Sequence, residues 1–294
     1  MSETRPLSRF TTIGTGGPAR RFAQPGSVEA LAEELALAAE EGLPVAAIGL
    51  GSNLLVADAG FDGLVVKLAG DLAAARVEGS SVVAGGGAPN AVCLHRARAA
   101  SLGGLEFVCA IPGTVGGGVW MNAGAYGGEV SGVLARALVV GADGVDWLTP
   151  AELGLRYRRS GLEPGQVVAL VELALESRPE IDIKSTVAEM QARRKAAQPT
   201  NKRTFGSVFK NPDHELSAGL MLDACGLRGH AIGGALISPK HANFIENAGD
   251  ARSEDAVALI AEARRRAFAQ YGVRLEPEVQ LLGPIEIPPI QGAE

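Results

Sequence analysis

Between Glu106 and Glu129 the chain carries no charged side chain, yet it holds Pro112, Asn122 and seven glycines. The stretch has a poor composition for a membrane-spanning helix. It reads instead as a loop system, Ile111-Pro112-Gly113-Thr114-Val115-Gly116-Gly117-Gly118 followed by Met121-Asn122-Ala123-Gly124-Ala125-Tyr126-Gly127. Glycine makes such a segment costly to order, so it needs something to lie against. A flat cofactor carrying a pyrophosphate suits both its backbone N–H groups and its apolar members. On that reading Gly113, Thr114, Gly116, Gly117, Asn122 and Gly124 are cofactor contacts. The alternative is an Ω-loop packed on its own side chains.

A second glycine turn, Gly49-Leu50-Gly51-Ser52-Asn53, follows directly on an apolar strand expected at Val45 to Ile48. Residues without side chains let successive amides converge on an anion, which nominates Gly49, Gly51, Ser52 and Asn53; an ordinary tight turn after a strand is the alternative. A Rossmann fingerprint is excluded, because Leu54 stands at the third glycine position and no capped helix follows. Neither segment offers the Gly-x-x-x-x-Gly-Lys-Ser/Thr of a Walker loop, so kinase and ATPase chemistry are set aside. His95, His214, His230 and His241 are scattered, with no His-x-x-x-His or Cys/His cluster, and no metal is expected.

The chain has 294 residues, more than the roughly 100 to 200 of one domain. Periodicity and punctuation divide it into three modules of mixed α+β character, 1–71, 72–199 and 200–294. The first reads as a strand from Ala19 to Ala23, a helix from Ser27 to Glu41 with Ser27 as its cap, and strands from Val45 to Ile48 and Leu64 to Leu68. The second has hairpin strands from Ala75 to Glu78 and Ser81 to Ala84, and a helix from Pro89 to Leu102 with Pro89 in its first turn. It continues with a hairpin around Asp143-Gly144, a strand from Val167 to Leu175 and a helix from Ile181 to Ala197. The third has a strand from Ser207 to Phe209, a short helix ending at Gly226 and a strand from Asn243 to Ile245. A helix from Ser253 to Tyr271 and a last strand from Leu275 to Leu281 complete it.

Lys plus Arg number 27 against 33 Asp plus Glu, a net charge of -6, and no basic run supplies the footprint that nucleic acid or an anionic membrane needs. Neither is expected as a partner. Cys93, Cys109 and Cys225 are odd in number and widely spaced, and no apolar stretch of signal length opens the chain, so the expected setting is reducing and cytoplasmic. A monomer is the working expectation.

Taken together, the ordered strings resemble the UDP-N-acetylenolpyruvoylglucosamine reductase family. They are Thr12-Ile13-Gly14-Thr15-Gly16-Gly17, the Gly49 to Asn53 turn, Ile111 to Gly117 continuing into Met121 to Gly127, and Tyr157-Arg158-Arg159-Ser160. Gly206-Ser207-Val208-Phe209-Lys210-Asn211-Pro212, His241-Ala242-Asn243-Phe244 and Glu276-Pro277-Glu278-Val279 follow. The resemblance runs from about Phe10 to Gly283. Arg159 stands where that family often has an acidic residue, and the length is similar to that of its shorter subclass.

The resemblance implies a vanillyl-alcohol-oxidase-type FAD-binding region in two parts, followed by a C-terminal α+β substrate domain. It implies FAD and NADPH as cofactors. It also implies transfer of a hydride from flavin N5 to the β-carbon of the enolpyruvyl ether of UDP-N-acetylglucosamine, giving UDP-N-acetylmuramate for peptidoglycan. Three positions match the family's catalytic residues: Ser207 as donor of a proton to the α-carbon, Arg158 as the binder of the substrate carboxylate and developing enolate, and Glu278 as a polariser or proton partner. Composition alone favours a surface salt bridge or a strand-end polar residue for Arg158 and Glu278; the motif match reverses that preference. Tyr157 and Asn211 are implied contacts of the UDP-sugar. Lys195, beside Arg193 and Arg194 at a helix end, is a candidate for the diphosphate, with ordinary dipole matching as the alternative.

Overall fold

The computed structural model describes residues 6–290. They form two compact units: the larger holds Arg21–Leu50 and Asp62–Arg194, the smaller residues 6–20, Gly51–Phe61 and 195–290. Both mix helix and strand, so the class is α+β.

The larger unit is built on a five-stranded antiparallel sheet in the spatial order Gly144–Leu148, Leu134–Gly141, Val167–Ala174, Ser81–Gly85 and Ala75–Glu78. Its strands alternate between two apolar faces. On one, Leu138, Val140, Val167 and Ala169 join Leu31 and Leu35 of the helix Val28–Glu40 in a single core. That helix starts where Ser27 accepts a hydrogen bond from the Ala30 amide. On the other face, Val139, Val168 and Val171 pack with Cys93 and Leu94 of the helix Asn90–Ala99 and with Phe107 and Ile183. The helix read in module 1–71 therefore shares a core with a sheet whose five strands all lie within 72–199. A separate strand, Phe61–Val66, pairs in parallel with Val45–Ala47, and the register Ala47↔Val66 sets Lys67 beside the turn that opens at Gly49.

The smaller unit has a four-stranded sheet in the order Thr204–Ser207, Phe244–Asn247, Ala235–Ile237 and Ala231–Ile232. Phe205, Phe209, Met221 and Ile245 share a core with Leu259 and Ile260 of the helix Ser253–Tyr271. The start of that helix is tied to Asp58, whose carboxylate accepts from the Ser253 amide at 2.8 Å and hydroxyl at 3.0 Å. Gln280–Leu282 pairs in parallel with Leu54–Val56.

Several local expectations are corrected. The region read as loop from Ile111 to Gly127 contains a helix, Val115–Trp120, with Thr114 as its cap. Its glycines have low helix propensity, but a tertiary bond from the Gly116 amide to Gly86 O at 2.8 Å compensates. Pro89 is the N-cap, with an extended ψ of 138°, rather than a first-turn residue, and the helix stops at Ala99. It ends short of Leu102 because Leu102–Gly103 pairs with Glu176–Ser177. The strand expected from Ser207 to Phe209 lies at Thr204–Ser207, since a side chain, that of Asn243, takes the place of a partner strand at Phe209. Of the last strand only Gln280–Leu282 is regular; Pro277 has no N–H to continue a ladder and meets Phe209 in an isolated bridge. Among the described residues no helix is long and apolar enough to cross a membrane.

Candidate functional site

In the larger unit three glycine segments meet, Gly86 and Gly116 backbone against backbone and Gly49 against the Thr114 side chain. A Cβ at Gly86 would lie 1.8 Å from Val168 O, one at Gly116 would lie 2.8 Å from Gly86 O, and one at Gly49 would lie 2.5 Å from Thr114 Oγ1. These glycines are required by close approach. Thr114 is the member of its segment that meets Gly49, and the segment is anchored to 88–90, where the Val115 amide donates to Ala88 O at 3.0 Å and Asn90 N–H donates to Gly113 O at 3.0 Å. Gly117 differs, because a Cβ there would meet only Thr114 Oγ1, at an ordinary 3.6 Å.

Among the described residues, no acceptor takes the amides of Gly49, Leu50, Gly113 or Thr114. Unpaired amides on two adjoining turns fit the oxygens of a phosphate group. A cation also stands here. Lys67 Nζ donates to Gly49 O at 2.7 Å, burial pushes its ammonium below the usual lysine range, and it pairs with no carboxylate among the described residues. Sequence reasoning missed Lys67, whose one signal is that it is the first charge after the apolar run Gly63 to Val66.

Arg158 also belongs to the larger unit. It sits in a tight turn closed by Arg156 N–H to Arg159 O at 2.8 Å and Arg159 N–H to Arg156 O at 3.1 Å. Its φ of 54° is left-handed, as are those of Asn122 (38°) and Tyr126 (52°). Such backbone is costly for residues with side chains and persists where surroundings impose it. Asn122, only 1% exposed, imposes it: its Nδ2 donates to Arg156 O at 3.2 Å and its Oδ1 accepts from Ser131 N–H at 2.9 Å. One guanidinium nitrogen of Arg158 donates to Gly124 O at 2.6 Å, and the group lies 4.9 Å from the ring centre of half-exposed Tyr157. Arg193 stacks in the same way on Tyr126, 4.9 Å from its centre.

The smaller unit brings together Asn53, Ser207 and Glu278. Glu278 N–H donates to Val208 O at 2.8 Å, so the chain after Ser207 runs beside Glu278. Asn53 Nδ2 donates to Glu278 O at 3.1 Å, and Gln280 N–H donates back to Asn53 O at 3.0 Å. Asn243, 4% exposed, clamps the segment: its Oδ1 accepts from Phe209 N–H at 2.9 Å, its Nδ2 donates to Phe209 O at 2.8 Å, and its carbonyl accepts from Val208 N–H at 2.9 Å. Each of these buried groups is satisfied, which makes the clamp rigid. Lys210 and Glu276 add an ion pair at 2.6 Å across the same two segments. Asn211 steadies the start of the helix Ala218–Ala224, whose N-cap is Ser217, through an Oδ1 that accepts from Ala218 N–H at 3.1 Å. Lys195 is exposed near the end of Glu180–Ala197, and its carbonyl accepts from Lys240 Nζ at 2.5 Å.

Residues 19–147 match the FAD binding domain family, and residues 198–282 match the UDP-N-acetylenolpyruvoylglucosamine reductase C-terminal domain family. The fold and these turns therefore define an FAD-containing oxidoreductase. A protein of Symbiobacterium thermophilum named UDP-N-acetylenolpyruvoylglucosamine reductase 2 is 43% identical over 285 residues, covering 96% of this chain and 92% of its own. A similarly named reductase of Anaeromyxobacter dehalogenans is 43% identical over 97% of this chain and 85% of its own. The crystal structure of UDP-N-acetylenolpyruvylglucosamine reductase from Thermus caldophilus superposes with a TM-score of 0.83 at 37% identity, over 95% of this chain and 98% of that one. The chain belongs to the UDP-N-acetylenolpyruvoylglucosamine reductase family.

Proposed function

We propose that this enzyme reduces the enolpyruvyl ether of UDP-N-acetylglucosamine-enolpyruvate to UDP-N-acetylmuramate, a step of peptidoglycan precursor synthesis, with electrons from NADPH. The observation that carries this reading is the clamped segment that sets Ser207 alongside Glu278 and Asn53. FAD, when bound, would supply the hydride-transfer chemistry between NADPH and the ether.

The chain's own residues divide the remaining work. The amides of Gly49, Gly113 and Thr114 hold the cofactor's diphosphate, with Gly116 and Gly117 letting the backbone approach and Gly51 and Ser52 continuing the turn. Asn122 and Gly124 serve the same region by bracing Arg158. Arg158 binds the substrate carboxylate and the enolate charge that grows next to it through its planar, always-charged fork. Ser207 delivers a proton to the α-carbon: a hydroxyl is a feeble acid, but an enolate carbon is a strong enough base to take its proton, and the neutral donor adds no charge of its own. Glu278 polarises that transfer or shares its proton. Asn211, whose Oδ1 is committed to Ala218, has Nδ2 for the UDP-sugar; Tyr157 offers a ring face and Lys195 an exposed cation for the diphosphate.

Anaerobic mixing with NADPH should bleach the flavin absorbance, and the enolpyruvyl ether should then restore it. Restoration by oxygen but not by the UDP-sugar would instead mark an oxidase of small alcohols or acids. The cradle has its own test. Gly117→Ala meets no clash within the protein, so apoprotein stability should hold or rise by about 0.4–1 kcal/mol. A methyl pressed against bound cofactor should cost about 1–3 kcal/mol, weakening FAD roughly tenfold to a hundredfold in a fluorescence titration of apoprotein. Unchanged FAD affinity would remove Gly117 from the cofactor's surface.

A further inference from the structure

We propose that Lys67 is the positioning residue of the cofactor's anion turn, holding the Gly49–Leu50 peptide so that the Leu50 amide is presented to the FAD diphosphate while its own charge offsets that of the phosphates. The proposal deepens the reading above and rests on the diphosphate lying at this turn. Three observations carry it. Lys67 Nζ donates to Gly49 O at 2.7 Å, across 18 residues of chain. A trans peptide points its C=O and N–H to opposite sides, so fixing the Gly49 carbonyl toward Lys67 turns the Leu50 N–H away from it. That N–H, with those of Gly49, Gly113 and Thr114, has no acceptor among the described residues.

The lysine itself is held in place. Its backbone N–H donates to Ala23 O at 2.9 Å, and Ile48 N–H donates to Val66 O at 2.8 Å, so the parallel strands deliver ammonium and turn to one spot. It is half-buried, and no carboxylate among the described residues pairs with it. A cation withdrawn from water with a single carbonyl partner is poorly compensated, and a dianionic diphosphate at the adjoining amides would compensate it. The two glycine segments contain no lysine or arginine of their own, so Lys67 provides a charge they lack.

The test is titration of apoprotein with FAD at low and high salt, for the native chain, Lys67→Arg, Lys67→Gln and Lys67→Met, alongside apoprotein melting temperatures. Lys67→Met should weaken FAD by about tenfold to a hundredfold, the loss expected for one charge-assisted hydrogen bond, and the deficit should shrink at high salt. Lys67→Gln, which can still reach the carbonyl without a charge, should fall between, and Lys67→Arg should stay within about threefold of native. Native affinity in Lys67→Met overturns the proposal. So does a loss that is independent of salt and tracks a lowered apoprotein melting temperature, because that marks a lysine that only supports the fold. A native chain that takes up no FAD is a different result, and it overturns the placement of the cofactor itself.

Discussion

Replacing Ser207 by alanine should leave reduction of the flavin by NADPH close to native speed and slow its reoxidation by the enolpyruvyl ether by about 100- to 10,000-fold, the range for loss of a positioned acid. The asymmetry follows from where the residue sits. Ser207 ends the strand Thr204–Ser207, and its backbone pairs with Phe244. Val208 and Phe209 beyond it are held by Asn243 and by the amide of Glu278. None of these bonds uses the Ser207 hydroxyl, so its removal takes away a proton and leaves the backbone in place. Anaerobic stopped-flow absorbance separates the two half-reactions. Equal losses in both would assign Ser207 to folding or to cofactor placement and sink the proton-donor role.

Arg158→Lys should lower the rate of substrate-driven reoxidation by about 100- to 1,000-fold, or about 3–4 kcal/mol, the loss typical of one oxyanion-stabilising donor. Charge is conserved in this variant, and so is the left-handed backbone cost at φ 54°. The fork is not. Arg158 uses one nitrogen on Gly124 O and one face of its plane near Tyr157, and the planar fork fixes the direction of each N–H it carries. An ammonium has no plane to stack and offers its donors from one point, so it can satisfy Gly124 or grip a carboxylate but not do both in register. Reduction by NADPH should again be nearly unaffected. A lysine variant within a fewfold of native in both half-reactions would reduce Arg158 to a structural cation.

Much of this was legible in local pattern. The helix Ser253–Tyr271 and the cap at Ser27 match the sequence reading, because apolar spacing and capping chemistry act over a few residues. The hairpin expected around Asp143-Gly144 is present, but one residue out of step with that signal: Gly144 pairs with Gly141 and Ala142-Asp143 form the tip. Glycine content marked the loops that stack on one another, and the ordered strings around Ser207, Arg158 and Glu278 marked the family. The short helix Val115–Trp120 was hidden, because its glycines argue against helix and a bond to Gly86 overrules them. That Asn122 braces the turn of Arg158, 34 residues away in the chain, was equally out of reach.

The chain by itself determined that its glycines must face something, that no Walker or Rossmann loop was present, and which ordered motifs mark the family. Tertiary structure alone decided that the smaller unit is assembled from three separated stretches of chain and that Asn243 stands in for a strand at Phe209. It also decided that the charge missing from the glycine turns arrives from Lys67. The reason is physical: periodicity and capping report neighbours within a few residues, whereas a buried hydrogen bond is set by where two distant backbones meet, which no local pattern encodes.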